Sequence, residues 1–291
     1  MKASVSADSR VISTEDAAWG GVLAVSLAAF ALVASEFMPV SLLTPIAADL
    51  GVSEGQAGQA ISVSGAFALF TSLFISSAAG RLDRKTLLLS LTLVMIVSGT
   101  VVAFATNYVV FIMGRALIGI AIGGFWSMSA ATAMRLVPSH HVPRALAILN
   151  GGNALATVVA APLGSFLGSI IGWRGAFFCI VPLAAVALAW KFFSLPSMTT
   201  ERAAASGNVF KLMRRPPIAL GMVAVSLFFM GQFTLFTYLR PFLETATHVG
   251  VSTLSLILLA VGIKGSNSNT AQAGSARRGN GLQMAQRSIS L

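Results

Sequence analysis

Residues 19–46 read WGGVLAVSLAAFALVASEFMPVSLLTPI, and a single charged side chain, Glu36, interrupts the run. A helix needs about 20 mainly apolar residues to cross the hydrocarbon of a bilayer. This stretch exceeds that length, so it reads as a membrane span.

Working outward, the same criterion marks six further spans at 57–79, 87–106, 109–133, 145–170, 176–196 and 217–239. The segments between them are short and rich in Gly, Pro, Ser, Asn or charge, where irregular backbone can meet water instead of lipid. Neighbouring spans must therefore run antiparallel. Composition agrees: the 291 residues are 56% apolar and 10% charged, with a mean hydropathy of +0.84, against about 25% charged in a soluble domain. The fold class is an all-α membrane protein.

Residues 1–17 are polar and include Asp8, Glu15 and Asp16. They lack the basic start and short apolar core of a cleaved signal peptide, and are expected to form a cytoplasmic tail. With that end inside, the inner face carries Lys2, Arg10, Arg81, Arg84, Lys85, Arg135, Arg144, Lys191, Arg202, Lys211, Arg214 and Arg215. The outer face carries only Arg174 and Arg240. Basic residues accumulate in cytoplasmic loops, so the expected setting is a bacterial inner membrane with the N-terminus in the cytoplasm.

The same bias accounts for the formal charge of +10. Nucleic-acid binding takes a clustered basic face or a recognisable module, and the sequence has neither. The one cysteine, Cys179, allows no intramolecular disulfide and no Cys-x-x-Cys metal site. The adjacent His140 and His141 have no ligand-spaced partner, and no phosphate-cradling Gly-x-x-x-x-Gly-Lys loop is present. No nucleophile with its base can be assembled from these spans. The expectation is a protein without cofactor or metal that is not an enzyme.

The organisation divides into a cytoplasmic tail (1–17), a six-helix bundle (18–196), a basic cytoplasmic linker (197–216) and the start of a second bundle (217–263). In that last part Val251–Ile263 is apolar over about 13 residues, too short to span. Residues 264–291 are polar, rich in small residues and without acids, a composition that cannot bury enough apolar surface to order itself. A shifted reading frame after about Lys264 would account for the abrupt change.

Ionisable residues inside spans are costly and carry function by default. Glu36 and Arg115 qualify. Glu36 shares a helix face with Val40 and Thr44, and a carboxyl held out of water can bind and release a proton, as a proton-driven carrier requires. A permanently paired carboxylate, or one facing an aqueous cavity without coupling, is the alternative. Arg115 opens a row with Gly119, Gly123, Ser127 and Ala131 whose small side chains permit close helix contact. Structural pairing and proton relay are both open for it.

A similar row on the fifth span, Ala156, Ala160, Gly164, Gly168 and Gly172, reads as tight packing, with Pro162 interrupting the backbone ladder. The inner loop Gly80-Arg81-Leu82-Asp83-Arg84-Lys85 sets an acid among three bases, and Asp83 contributes little to orientation, so it asks for another role. Phe125, Trp126, Gln232, Phe233, Phe236 and Tyr238 would suit a flat polar ligand by stacking and hydrogen bonding, although lipid-facing aromatics are commoner.

These motifs resemble the major facilitator superfamily, in its drug and metabolite proton antiporter branch. Its members have two six-helix halves, so this chain would hold a complete N-terminal half and the start of the second. The loop Gly80, Asp83, Arg84, Lys85 resembles the family's conserved inner-loop motif, contracted and lacking the second glycine. Arg115 with Gly119 resembles its fourth-helix motif, where the arginine is implicated in proton coupling. Ala161-Pro162-Leu163-Gly164 resembles its antiporter motif, with alanine before the proline in place of glycine.

Longer runs, SEFMPVSLLTPIAADLGVSEGQAGQ from Ser35, GRALIGIAIGGFWSMSA from Gly114, APLGSFLGSIIGWRGAF from Ala161 and GQFTLFTYLRPF from Gly231, resemble the purine nucleoside exporters of that branch. The resemblance implies efflux of inosine- or guanosine-like nucleosides in exchange for protons. The first, fourth and seventh helices would line the cavity, with Glu36, Trp126 and Gln232 on them. Family members continue for further helices, so a non-transporting membrane fragment or assembly partner, or a carrier of sugars or drugs, stands as the alternative. A seven-helix receptor would place its N-terminus outside, against the basic bias.

Overall fold

The structure is a computed structural model that describes residues 17–78, 83–198 and 216–247. The linker beyond residue 198, the apolar run 251–263, the polar tail and Gly80 lie outside the described residues. The elements are α1 (Trp19–Leu50), α2 (Glu54–Ala78), α3 (Arg84–Ala103), α4 (Tyr108–Arg135), a 3-10 turn (Ser139–His141), α5 (Val142–Phe178), α6 (Ile180–Ser194) and α7 (Pro216–Thr247). No strand occurs among the described residues.

Local chemistry sets several boundaries. Gly51 adopts a left-handed conformation (φ 64°) and its N–H donates to Ala47 O, which stops α1. The Asn107 side chain accepts from Val110 N at 3.0 Å and starts α4. Asp83 caps α3 by accepting from Lys85 N at 3.3 Å.

Among the described residues six helical stretches are long and apolar enough to cross a membrane, and one of them, Ser139–Ser194, runs for 56 residues. A straight helix of that length would reach about 84 Å, well beyond the roughly 30 Å of hydrocarbon. Gly172, at φ 74° and ψ 166°, breaks α5 and folds the stretch back. Neighbours trace the path. A Cβ on Gly152 would fall 2.5 Å from Ser26 O, one on Gly164 2.5 Å from Ser41 Oγ, and one on Gly168 2.3 Å from Leu42 Cδ2. Beyond the break Trp173 reaches Asp49, and at the far end of α6 a Cβ on Gly21 would lie 3.2 Å from Ser194 O. The chain thus runs parallel to α1 through α5 and returns antiparallel to it through α6, making seven passes among the described residues. Gly172 is therefore not the last member of a packing row. Nothing lies within 4 Å of its Cβ position, and its role is the turn.

In lipid the hydrophobic effect does not drive helices together, so close packing of small residues does. α1 is the most enclosed span, with 72% of its apolar window buried against 17% for α2. Gly119 and Gly123 bring α4 onto α2 so tightly that a Cβ would lie 2.3 Å from Ser64 O and 2.2 Å from Ala68 O. Large apolar side chains such as Phe70 and Phe74 of α2 and Phe228 of α7 point outward, as a lipid solvent permits. α7 meets the bundle through Phe233, stacked on Phe37 at 5.8 Å, and through the Tyr238 ring resting on Gly58.

Candidate functional site

α1, α2 and α4 meet at one buried polar cluster. Arg115, 0% exposed, donates from Nη2 to Glu36 Oε2 at 2.6 Å and from Nη1 to Ser35 O at 3.0 Å. Ser64 of α2 completes the cluster. Its hydroxyl accepts from Arg115 Nη2 at 3.3 Å and lies 2.7 Å from Glu36 Oε1, with Ile61 O as its alternative acceptor at 2.9 Å. The two residues that sequence flags separately are thus partners. The close approach at Gly119 places Ser64 against the guanidinium.

Burying two charges costs several kcal/mol each unless geometry and extra hydrogen bonds compensate. Here Ser35 O and Ser64 supply that compensation, but Arg115 Nε is left buried without a partner. Glu36 retains 16% side-chain exposure, whereas the Arg115 side chain is 1% exposed. Along the same face Val40 is buried, and the Thr44 hydroxyl donates to Glu54 Oε1 at 2.9 Å. Neither Ser64 nor Glu54 carries a sequence signal, because a serine or a helix-start glutamate is ordinary in its own segment.

Of the residues in the loop before α3, Asp83 does more than cap that helix. It accepts from Met198 N at 2.6 Å, while Arg84 N donates to Met198 O at 3.2 Å. Lys85 places its ammonium 5.4 Å from the Phe192 ring centroid. The loop thereby fastens α3 to the end of α6. In the fifth-helix row, Gly164 and Gly168 face α1 as described, and Pro162 lies inside α5, half-buried.

The aromatic set does not form one pocket. Phe125 is 3% exposed and packs among Ala28, Leu32, Leu91 and Met95, so its expected place on the cavity wall is corrected: it belongs to the core. Trp126, one position on, is 38% exposed and borders an open groove of about 390 Å³ with Ala68, Leu69, Ser72, Ile122, Gly123 and Ser127. Gln232 is exposed on α7. The Phe236 side chain lies outside the described residues. Tyr238 touches α2 at Gly58, whereas the groove beside Trp126 reaches α2 at Ala68, levels roughly 15 Å apart along a helix.

A second ion pair closes the opposite end. Arg174 Nη1 donates to Asp49 Oδ2 at 2.5 Å, and its Nη2 donates to Ala105 O at 2.7 Å. The guanidinium lies 4.3 Å from the Trp173 ring centroid. This clasp joins the end of α1, the α3–α4 connection and the α5 break. Among the described residues no group of three or more His, Cys, Asp or Glu could hold a metal ion.

Among the described residues, helical passes joined by small-residue contacts, with an ion pair buried where three helices meet, define a multi-pass α-helical membrane protein of transporter architecture. The chain belongs to the Major Facilitator Superfamily, whose family model matches residues 25–277. It is 67% identical over 255 residues to the "Transcription regulatory protein OpdE" of Pseudomonas aeruginosa, covering 86% of this chain and 63% of that protein. It is 43% identical over 245 residues to the "Purine ribonucleoside efflux pump NepI" of Salmonella typhimurium, covering 84% of this chain and 62% of that pump. The chain therefore spans less than two thirds of the length of these relatives.

Among solved structures, a bacterial homologue of the human lysosomal transporter Spinster, inward-facing and unoccupied, aligns with a TM-score of 0.70 at 16% identity. It covers 84% of this chain and 59% of that one. A D-xylose-proton symporter aligns with a TM-score of 0.65 at 14% identity, covering 90% and 68%. At such identities the likeness concerns the fold alone.

Proposed function

We propose that this chain derives from, and carries the N-terminal machinery of, a proton-coupled antiporter that exports purine ribonucleosides or related small molecules. It sits in the inner membrane with its N-terminus in the cytoplasm, a six-helix unit at 18–196 and a second unit beginning at 217. The observation that carries this reading is the Glu36–Arg115 pair: a partly exposed carboxylate held by a fully buried guanidinium. Proton binding at Glu36 would release Arg115, and re-pairing would follow proton loss. That gives α1 and α4 two states, which alternating access requires. The 43% identity to the nucleoside efflux pump supports the substrate class, and Trp126 supplies a flat surface on which a purine can stack.

The test is uptake of labelled inosine into inverted membrane vesicles containing only this chain, with and without an imposed proton gradient. Gradient-dependent uptake that Glu36→Gln abolishes supports the reading, and gradient-independent or absent uptake overturns it. The name of the 67% identical relative favours a second reading, a membrane-embedded protein that acts in regulation rather than transport. Failed uptake together with changed gene expression on deleting the chain would support that one.

A further inference from the structure

Trp19 opens the first span, and basic side chains gather at its ring. The Arg144 guanidinium lies 5.1 Å from the Trp19 ring centroid. The His141 ring meets Trp19 edge-on at 5.5 Å between centroids, and His140 lies 4.1 Å from His141. Trp190 of α6 borders the group, its Nε1 3.9 Å from the Cβ position of Gly20. Among the described residues no hydrogen-bond acceptor meets the guanidinium or either imidazole. The carboxylates with described side chains are engaged elsewhere: Glu36 and Asp49 by arginines, Glu54 by Thr44, and Asp83 by backbone N–H groups. A guanidinium presents five N–H donors in a fixed fork and no acceptor. Laid against an indole, it is already oriented to receive an anion.

Below this cluster the apolar surface has a definite shape. Trp19, Leu23, Leu27 and Phe30 recur at i, i+4, i+8 and i+11, a single stripe of α1. Gly20 and Ser26 fall on opposite sides of that stripe, since each residue turns the helix by about 100°. α6 lies on the first side, where a Cβ on Gly20 would fall 3.3 Å from Ser194 Oγ. α5 lies on the second, where one on Gly152 would fall 2.5 Å from Ser26 O. Between them Leu23 stays 44% exposed, and Leu27 and Phe30 are half-buried. On α5 the exposed residues that follow Arg144 include Ala147, Gly151 and Leu155, and nothing lies within 4 Å of the Gly151 Cβ position. The result is an apolar crease about three turns long with unpartnered donors at its mouth.

A free phosphate would use only the mouth, and a hydrocarbon only the crease. A phospholipid uses both. Tryptophans settle at the depth of the headgroups, so Trp19 and Trp190 put the mouth at that level. We propose that the crease between α5 and α6, floored by α1, binds one anionic phospholipid. Its phosphate accepts from Arg144 with His140 and His141 beside it, and an acyl chain lies over Leu23 and Gly151. The site shares no residue with the Glu36 cluster or the Trp126 groove, so it stands whether or not the chain transports.

The experiment is native mass spectrometry of the purified full chain, incubated in detergent with dioleoyl phosphatidylglycerol or dioleoyl phosphatidylcholine. Both lipids carry a phosphate, and only the first carries a net charge. The wild type is expected to retain one phosphatidylglycerol about fivefold more tightly than phosphatidylcholine, the effect of one arginine near an anionic headgroup. Arg144→Gln should remove that preference and Arg144→Lys should keep most of it. Lys85→Gln, which removes the same charge from another helix at the same end of the bundle, should leave it intact. Equal retention of the two lipids by the wild type overturns the proposal before any variant is made, so a variant that fails to fold does not shield it. Equal losses in Arg144→Gln and Lys85→Gln also overturn it, because the charge then acts as a diffuse field. Glycerophosphoglycerol, the headgroup without its chains, should not displace the bound lipid at equal concentration. Displacement would leave the crease without a part, and the lipid site falls.

Discussion

Arg115 on α4 and Glu36 on α1 meet at 2.6 Å across a helix crossing that Ser64 of α2 completes, so one ion pair binds three helices. Removing one partner leaves the other buried without its counter-charge, which costs about 3–5 kcal/mol, whereas removing both together costs much less. Thermal unfolding in detergent should place Arg115→Gln well below wild type and the Glu36→Gln/Arg115→Gln double variant between the two. A double variant less stable than Arg115→Gln would deny the pairing its structural weight. In transport, Glu36→Gln should abolish proton-coupled export, and retained export with an unchanged pH dependence would refute coupling through this carboxyl.

Gly123 leaves no room for a side chain, since its Cβ would sit 2.2 Å from Ala68 O, whereas Gly221 on α7 has nothing within 4 Å. Gly123→Ala should destabilise by about 1–3 kcal/mol through forced separation of α4 from α2. Gly221→Ala should be neutral or stabilising by up to about 1 kcal/mol, because alanine is the better helix former. Comparing the yield of monodisperse protein and the unfolding temperature of the two variants checks the contrast.

Gly172 isolates a backbone effect, because its Cβ position is open while its φ of 74° is one that side-chain-bearing residues rarely adopt. Gly172→Ala should cost about 1–3 kcal/mol. Gly151→Ala, within the same helix and equally open, should cost nothing. Equal unfolding temperatures for the two alanine variants would contradict the turn assigned to Gly172.

Asp83 holds both the start of α3 and the segment leaving α6. Asp83→Ala removes a cap worth about 1–2 kcal/mol together with the hold on Met198, and Asp83→Asn should do so more weakly. The expectation is slower export with ligand binding intact, read as turnover against equilibrium affinity. Lost binding would contradict the assignment.

Phe125 and Trp126 should separate cleanly. Phe125→Ala opens a core cavity and should cost about 3–5 kcal/mol of stability, while Trp126→Ala should weaken ligand binding and barely move the unfolding temperature. The reverse pattern would place the ligand on the core side of α4.

The sequence by itself determined the spans, their antiparallel order and the basic bias of one face, because run length, glycine, proline and charge are local properties that a bilayer reads segment by segment. It also singled out Glu36 and Arg115, since each is costly in lipid whatever surrounds it. Only the tertiary structure decided that these residues, 79 positions apart, are partners, and that an unremarkable Ser64 joins them. It also decided that Phe125 and Trp126 part company. One step along a helix turns a side chain by about 100°, and since lipid, core and groove wall all accept an aromatic, hydropathy cannot say which it meets. Lys191 reads in sequence as one more topology signal at the end of a span, and the structure buries it completely. Its partners, Leu88 and Thr92 of α3 and the Phe125 ring of α4, are far away in the chain, and only folding brings them to it.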